Sequence, residues 1–181
     1  MCLYEPNPKI HLMKHLIAVA GMLLLPLFIF SQEITGLWQG TMINDSAKTT
    51  LPYELLIKKE KGKYTGYSKN CFLIGGEEYY GIKKVKVSVA KDGKIVIKDF
   101  ELLENNYPAG PDKNVQQLNI LDLVNRENET ALDGLFVTNL TKRFGEVTGH
   151  INIKKMDPTS ESSLMKYLQK KSLGNEIAVV K

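Results

Sequence analysis

Eight short segments of alternating apolar and polar residues follow one another along this chain, and turn-forming residues separate them. The segment from Ile82 to Val89 shows the alternation most clearly, and Asp92-Gly93 after it is a residue pair that tight hairpin turns favour. A period of two residues is typical of a strand that buries one face. The predicted strands are 36–43, 53–59, 64–73, 82–89, 94–103, 115–124, 131–138 and 146–154.

The short connections between these segments predict an all-β fold, in which eight strands form an antiparallel up-and-down barrel. One irregularity is expected in the fifth segment. There the apolar face changes after Ile97 to Phe100 and Leu102, which predicts a β-bulge near Asp99.

The residues after the last strand predict a short C-terminal helix. The sequence Asp157-Pro158-Thr159-Ser160 ends the strand and offers a helix N-cap. Leu164, Met165 and Leu168 then mark one apolar face of the helix. The stretch from Ile177 to Val180 has the composition of a final edge strand.

The first 31 residues have the order of a secretory signal peptide. Lys14 precedes an apolar run from Leu16 to Phe30, and the small residue Ser31 follows it. The run is shorter than the roughly 20 residues that span a membrane, so cleavage and export to the periplasm or the exterior are predicted. Because Met13-Lys14 resembles a natural translation start, residues 1–12 are interpreted as the product of a start codon assigned too far upstream. The predicted division is a signal peptide at 1–31, a barrel domain at 32–156 and a C-terminal segment at 157–181.

Charge and composition argue against several classes of function. The formal net charge is +4 for all 181 residues and falls to about +3 without the signal peptide. Since lysines are interleaved with Glu and Asp, no basic tract for nucleic acid is expected. Cys71 and His150 are the single cysteine and histidine after residue 31, so neither a disulfide nor a zinc site of Cys and His ligands is predicted. Alternation places His150 on the outer face, and the domain is predicted not to be an enzyme, with no catalytic residue, metal or cofactor assigned.

A pair of threonine or aspartate with glycine recurs in the strands, at Gly36, Gly66, Gly134 and Gly149. Glycine within a strand marks a bend or a close approach of two backbones, and closed barrels need such positions where strands coil tightly. The alternative interpretation is that these glycines leave room for a ligand in the lumen. The two interpretations are compatible.

The motif Gly36-Leu37-Trp38 resembles the G-x-W motif of lipocalins and related calycin barrels. The order of eight strands, a helix and a short edge strand is also similar to lipocalins, over nearly the whole predicted mature chain. The resemblance implies a calycin-like barrel in which the Trp closes one end and packs against an arginine from a late strand. Arg126 and Arg143 are the candidates for that arginine. The Ser-Gln-Glu-Ile-Thr sequence before the motif resembles exported proteins of the Bacteroidota, which include many lipocalin-like domains.

An eight-stranded barrel is just wide enough to be filled by side chains or to hold one small ligand. The residues assigned to the ligand site are Trp38, Phe72, Tyr79, Tyr80 and Phe136. Three of these lie in the stretch 71–81, where a Gly-Gly pair predicts a wide turn with an aromatic lip at the barrel mouth. The alternative is a hairpin whose aromatic side chains cover the core.

The inward positions of the predicted barrel are apolar. Besides Trp38 and Phe136 they include Met42, Leu55, Ile57, Val85, Val87, Leu132, Ile151 and Ile153. These side chains suit a hydrophobic pocket or a packed core, so two functions are considered. The first is an exported lipocalin-like barrel that binds a small hydrophobic ligand in its lumen. The second is a cell-envelope module with a filled core, which contacts a protein or a glycan through 72–81 or 104–114.

Overall fold

A computed structural model describes residues 34–110, 115–127, 129–142 and 144–171. The predicted signal peptide at 1–31 and the predicted edge strand at 177–180 lie outside the described residues, as does Arg143. No helix in the described part of the chain is long and apolar enough to cross a membrane.

Eight antiparallel strands form a closed barrel in sequence order, with β1 pairing with both β2 and β8. The strands are β1 (Gly36–Asn44), β2 (Thr50–Glu60), β3 (Lys63–Ile74), β4 (Glu77–Val89), β5 (Ile95–Asn105), β6 (Gln117–Arg126), β7 (Glu129–Thr138) and β8 (Thr148–Lys155). One short helix, α1 (Ser163–Lys170), follows them among the described residues. The predicted all-β barrel with a C-terminal helix is confirmed. The fourth strand is longer than expected, because it begins at Glu77 rather than at Ile82.

Successive strands run in opposite directions, so the connections lie alternately at two ends of the barrel. We call the end with the connections after β1, β3, β5 and β7 the upper end, and the opposite end the lower end. The halves of the interior nearer to each end are the upper half and the lower half.

The lower half of the interior is filled by apolar side chains. The largest side chains less than 2% exposed there and at mid-height are Trp38, Leu55, Ile57, Ile95, Ile97, Leu121, Leu132, Ile151 and Ile153. All ten inward positions predicted from the alternation are buried, because each strand keeps its period of two on that face. The ten predicted apolar positions are therefore confirmed as buried, whereas other inward positions carry polar side chains.

Trp38 lies near the lower end and pairs with Leu55 on β2 and with Lys155 on β8. The Nζ atom of Lys155 is 5.8 Å from the centroid of the indole ring. A cation over an aromatic face is favourable. The last strand thus supplies a lysine where the resemblance implied an arginine, while Arg126 pairs with Glu129 at the surface.

The predicted β-bulge in β5 is present. The register of β4 against β5 shifts between Lys84 and Val85, which leaves Phe100 without a partner, and it shifts again between Ile82 and Lys83. The consequence differs from the expectation. Phe100 does not join the core face but is 53% exposed, whereas the side chain of Asp99 lies in the barrel and is only 11% exposed.

Three of the recurring glycines lie where neighbouring strands approach closely. A Cβ atom on Gly66, Gly134 or Gly149 would lie 2.1, 2.3 or 2.0 Å from a carbonyl oxygen of the neighbouring strand. Side chains do not fit at such distances, so only glycine permits this packing. This geometry supports the structural interpretation of these glycines.

Helix α1 covers part of the outer wall. Leu164 and Leu168 are fully buried and pack against Leu56, Tyr67 and Ile82 on β2, β3 and β4. The N-cap is Ser162, whose hydroxyl accepts a hydrogen bond from the backbone N–H of Met165 at 3.0 Å. The predicted cap at 157–160 instead forms a local turn, because Asp157 accepts hydrogen bonds from the backbone and hydroxyl of Thr159.

Glu54 on β2 connects the start of α1 to the barrel through hydrogen bonds. Its carboxylate accepts hydrogen bonds from the hydroxyls of Ser162 and Ser163, from the backbone N–H of Leu164 at 3.2 Å and from the amide of Gln39 at 3.3 Å. Burial raises the pKa of Glu54, but these hydrogen bonds outweigh burial and hold the pKa below its ordinary value.

Candidate ligand site in the upper half of the barrel

Polar side chains from five neighbouring strands meet inside the upper half of the barrel. This interior polar cluster comprises Tyr53 on β2, Ser68 and Asn70 on β3, Lys83 on β4, Asp99 on β5, and Gln117 and Asn119 on β6. The seven residues are buried or nearly so. Buried polar groups are uncommon unless they are paired, so the hydrogen-bond partners of these side chains decide whether the cluster is stable.

A chain of side-chain hydrogen bonds crosses the lumen. The amide of Asn70 donates to Gln117 at 3.5 Å, Gln117 donates to Asn119 at 2.8 Å, and Asn119 donates to the hydroxyl of Tyr53 at 3.0 Å. Neither β3 and β6 nor β6 and β2 are neighbours in the barrel. These side chains therefore point into the interior and connect opposite walls.

Lys83 and Asp99 form an ion pair beside this chain. Their side chains are each 11% exposed. The same Oδ2 atom of Asp99 accepts the backbone N–H of Gln117 at 2.9 Å. Removing two charges from water is costly unless they compensate each other, and here one cation faces one anion. The pair leaves the interior polar cluster without net charge.

The phenols near this cluster are held in their protonated form. Burial, followed by the charge of Asp99, raises the pKa of Tyr53 well above its ordinary range, while hydrogen bonds with Asn119 and Ser68 act in the opposite direction. Burial and Asp99 also raise the pKa of Tyr107, to about 12. Both hydroxyls are therefore neutral at physiological pH.

One atom of the cluster is not satisfied. The Oδ1 atom of Asn70 is buried, and no hydrogen-bond donor in the described residues reaches it. Asn70 as a whole is 8% exposed. Leaving a buried acceptor unpaired costs about 1–3 kcal/mol. Such an atom in an otherwise paired network points to a partner outside the described residues.

Aromatic rings lie next to the cluster at the upper end. The ring centroids of Phe72 and Tyr107 are 5.0 Å apart, and those of Phe72 and Tyr79 are 6.4 Å apart. The hydroxyl of Tyr107 reaches Gly81, where a Cβ atom would lie 2.0 Å from its oxygen. Gly81 pairs with Asn70 across β3 and β4, so the rings and the unpaired amide oxygen are close neighbours.

The described residues of β5 and β6 pair over only part of their length beside the cluster. Within the described residues, backbone pairing of these strands runs from Ile95 and Leu121 only to Lys98 and Leu118. Beyond that point β5 continues to Asn105, where among the described residues it pairs with β4 alone. The side chain of Asp99 bridges the two strands where their pairing stops.

The predicted site residues fall into three groups. Trp38 and Phe136 are buried in the barrel, at 0% and 3% exposure. Phe72 and Tyr79 contact each other at the upper end. Tyr80 does not join them. It lies on the outer face of β4, where it packs against the residues that hold α1, and the Nζ atom of Lys69 is 5.1 Å from its ring centroid.

The stretch 71–81 is a hairpin rather than a wide turn. Gly75 and Gly76 form its two-residue turn with φ values of 61° and 89°, a conformation that favours glycine. The flanking residues continue β3 and β4. Neighbouring residues of a strand point to opposite faces, which is why Tyr79 and Tyr80 separate.

The interior polar cluster was not predicted from the sequence. A signal was present in the alternation, because Ser68 and Asn70 occupy inward positions of β3, and Gln117 and Asn119 occupy inward positions of β6. Polar residues at two successive inward positions on two strands indicate a polar region inside a barrel.

Cys71 and His150 take no part in the cluster. Burial, followed by the charge of Glu78, raises the pKa of the Cys71 thiol to about 11, so it is not an activated nucleophile. His150 lies on the outer face, as the alternation predicts, with its Nε2 atom 3.1 Å from Asp133. In the described ranges, no group of three His, Cys, Asp or Glu side chains is arranged to hold a metal ion.

Comparison of the chain with protein-family models, with curated proteins and with solved structures finds no match in any of the three.

Proposed function

We propose that this protein is an exported barrel that binds a small molecule with an apolar body and a polar head in the upper half of its lumen. The observation that carries the proposal is the buried, unpaired Oδ1 atom of Asn70 within a network whose other members are paired. A bound ligand would supply the missing partner and so recover the stabilisation that the free protein forgoes.

The surroundings of Asn70 support this function. Small-molecule sites combine apolar and aromatic walls with a few convergent polar groups. Phe72 and Tyr79 supply an aromatic wall, and the interior polar cluster supplies the polar groups. Apolar side chains fill the lower half, which favours the upper half as the place for a ligand.

Binding rather than catalysis is the activity that the charges favour. The phenols of Tyr53 and Tyr107 stay protonated, because burial raises their pKa. Lys83 and Asp99 neutralise each other in an ion pair. Such groups hold and orient a ligand but are poorly suited to move a proton at neutral pH.

Native mass spectrometry of the purified protein tests this function. We expect a co-purified small molecule, or one acquired from a lipid and metabolite extract. The substitution Phe72→Ala should reduce its occupancy, whereas Phe100→Ala should not, because Phe100 is an equally large side chain on the outer wall. Equal occupancy in both variants, or no bound molecule in the wild-type protein, would contradict the proposal.

A second function, contact with another macromolecule of the cell envelope, is favoured by an apolar row on the outer wall. Ile43, Leu135 and Ile120 are 39%, 64% and 42% exposed, and they follow one another across β1, β7 and β6 with His150 of β8 between the first two. Exposed apolar side chains that cluster on one face of a protein favour an interaction surface. Leu135→Asp should then abolish binding to isolated cell envelopes while the small-molecule occupancy remains unchanged.

A further inference from the structure

We propose that the head of the ligand is an uncharged hydroxyl on an aromatic ring, which donates to Oδ1 of Asn70 at the place where Tyr107 now presents its own phenol. This inference rests on the proposed function, because it names the class of molecule that the same site takes. Three observations carry it: the charge balance of the cluster, the kind of atom that lacks a partner, and the position of Tyr107.

The charge balance favours a neutral head. Lys83 and Asp99 compensate each other, and both are largely buried. The other members of the interior polar cluster carry no charge at neutral pH, since the pKa of Tyr53 is raised. A carboxylate or an ammonium group placed here would lose its hydration without gaining a free counter-ion, which disfavours both.

The unpaired atom favours a donor. The amide nitrogen of Asn70 already donates to Gln117, and the amides of Gln117 and Asn119 are used along the chain to Tyr53. What remains is the carbonyl oxygen of Asn70, which only accepts. A hydroxyl satisfies it, whereas an ether or another carbonyl does not.

Tyr107 shows that an aromatic ring with a hydroxyl fits this place. Its ring contacts Phe72, and its hydroxyl lies over Gly81. The position of a Cβ atom on Gly81 would be 2.0 Å from that hydroxyl and 3.3 Å from Oδ1 of Asn70. The phenol thus lies beside the acceptor without forming a hydrogen bond to it. A free phenol that replaces this ring against Phe72 has the freedom to align its hydroxyl, which the tethered side chain lacks.

The test is a titration of the isotope-labelled protein at neutral pH, followed by the side-chain amide signals in ¹H–¹⁵N correlation spectra. The four probes share one ring and differ in the head: 4-ethylphenol, its isomer 4-methylanisole, 4-methylbenzoate and 4-methylbenzylammonium. We expect 4-ethylphenol to bind at least about tenfold more tightly than the other three, as one well-made buried hydrogen bond implies. It should also shift the amide signals of Asn70, Gln117 and Asn119.

Three variants sharpen the test. Asn70→Leu should remove the preference for 4-ethylphenol over 4-methylanisole. Its thermal midpoint should change little, because the unpaired acceptor of Asn70 is lost while Oε1 of Gln117 loses its donor. Tyr107→Ala should raise the affinity for 4-ethylphenol several-fold, because the ring no longer competes. Phe100→Ala, on the outer wall, should leave all affinities unchanged.

The outcomes separate this inference from the proposed function. Binding of the anion, the cation or the ether as tightly as the phenol overturns the inference, as does a preference that survives in Asn70→Leu. In those cases the proposed function stands, since a small molecule binds. If none of the four probes binds, the inference is wrong, and the native mass spectrum decides separately whether the proposed function survives.

Discussion

The two halves of the barrel interior are built from the same eight strands but on opposite principles. In the lower half, side chains such as Trp38, Leu55 and Ile153 are fully buried and apolar, so every contact stabilises the fold. In the upper half, Asn70, Lys83 and Gln117 are buried as well, yet each needs a polar partner to avoid a penalty. Under the proposed function, stability and recognition are placed in different parts of one lumen. Natural proteins commonly depart from the best-packed arrangement where they carry a function.

The largest effect is expected in the lower half. Trp38→Ala removes a fully buried side chain from the apolar core and should lower the free energy of unfolding by about 3–5 kcal/mol. Urea denaturation followed by circular dichroism measures it. Phe100→Ala is the matched control and should change stability by less than about 1 kcal/mol, since that ring is exposed. Equal losses of unfolding free energy in the two variants would contradict the interpretation of the lower half as the stabilising core.

The ion pair of Lys83 and Asp99 in the upper half should matter for stability mainly because each charge compensates the other. Lys83→Met leaves Asp99 as an uncompensated buried charge and should cost about 3–5 kcal/mol at neutral pH. The double variant Lys83→Met with Asp99→Asn should recover most of this loss, because the amide carries no charge and its oxygen can still accept the backbone N–H of Gln117. If the double variant is as unstable as the single one, the ion pair itself stabilises the barrel. The two halves would then differ less in how they contribute to stability.

On the outer wall, both carboxylate oxygens of Glu54 accept hydrogen bonds. The pKa of Glu54 is lowered in the folded protein, so its contribution to stability is present above its unfolded pKa and is lost as the pH falls through the lower, folded value. Glu54→Gln should reduce the free energy of unfolding by about 1–2 kcal/mol at neutral pH, through the weakened hydrogen bonds to the start of α1. The difference from the wild-type protein should shrink in acid. A difference that does not vary with pH would contradict this role.

The smallest change in stability is expected for Asn70. Asn70→Leu removes one unpaired buried acceptor but creates another, because Oε1 of Gln117 loses the amide that donates to it. The two effects oppose each other, so the free energy of unfolding should change by less than about 1 kcal/mol. Thermal unfolding of the ligand-free protein measures it. A clear loss of stability would mean that Asn70 serves the fold rather than a ligand.

The sequence predicts the lower half better than the upper half, for a physical reason. The inward face of Leu55 and Ile57, or of Ile151 and Ile153, follows from alternation alone, because a period of two is a local property of a strand. The pairing of Asn70 with Gln117 is not local, since the two residues lie on strands that meet only across the closed lumen.

The bulge in β5 shows how one irregularity changes a site. The sequence predicts the change of face near Asp99, but it does not say which residue is displaced. The structure turns Phe100 outward and Asp99 inward, next to Lys83. In the hairpin at 71–81, a turn shorter than predicted likewise sends Tyr79 and Tyr80 to opposite faces. Positions next to turns and bulges are where a pattern of alternation loses its register.

The most direct test of the division between the two halves follows the indole N–H of Trp38 and the side-chain amides of Asn70, Gln117 and Asn119 in one ¹H–¹⁵N spectrum, while 4-ethylphenol is added. The indole reports on the lower half, and the amides report on the upper half. If the upper half is the binding site, the amide signals shift and saturate while the indole signal stays in place. A saturating shift of the indole with unmoved amides would contradict it.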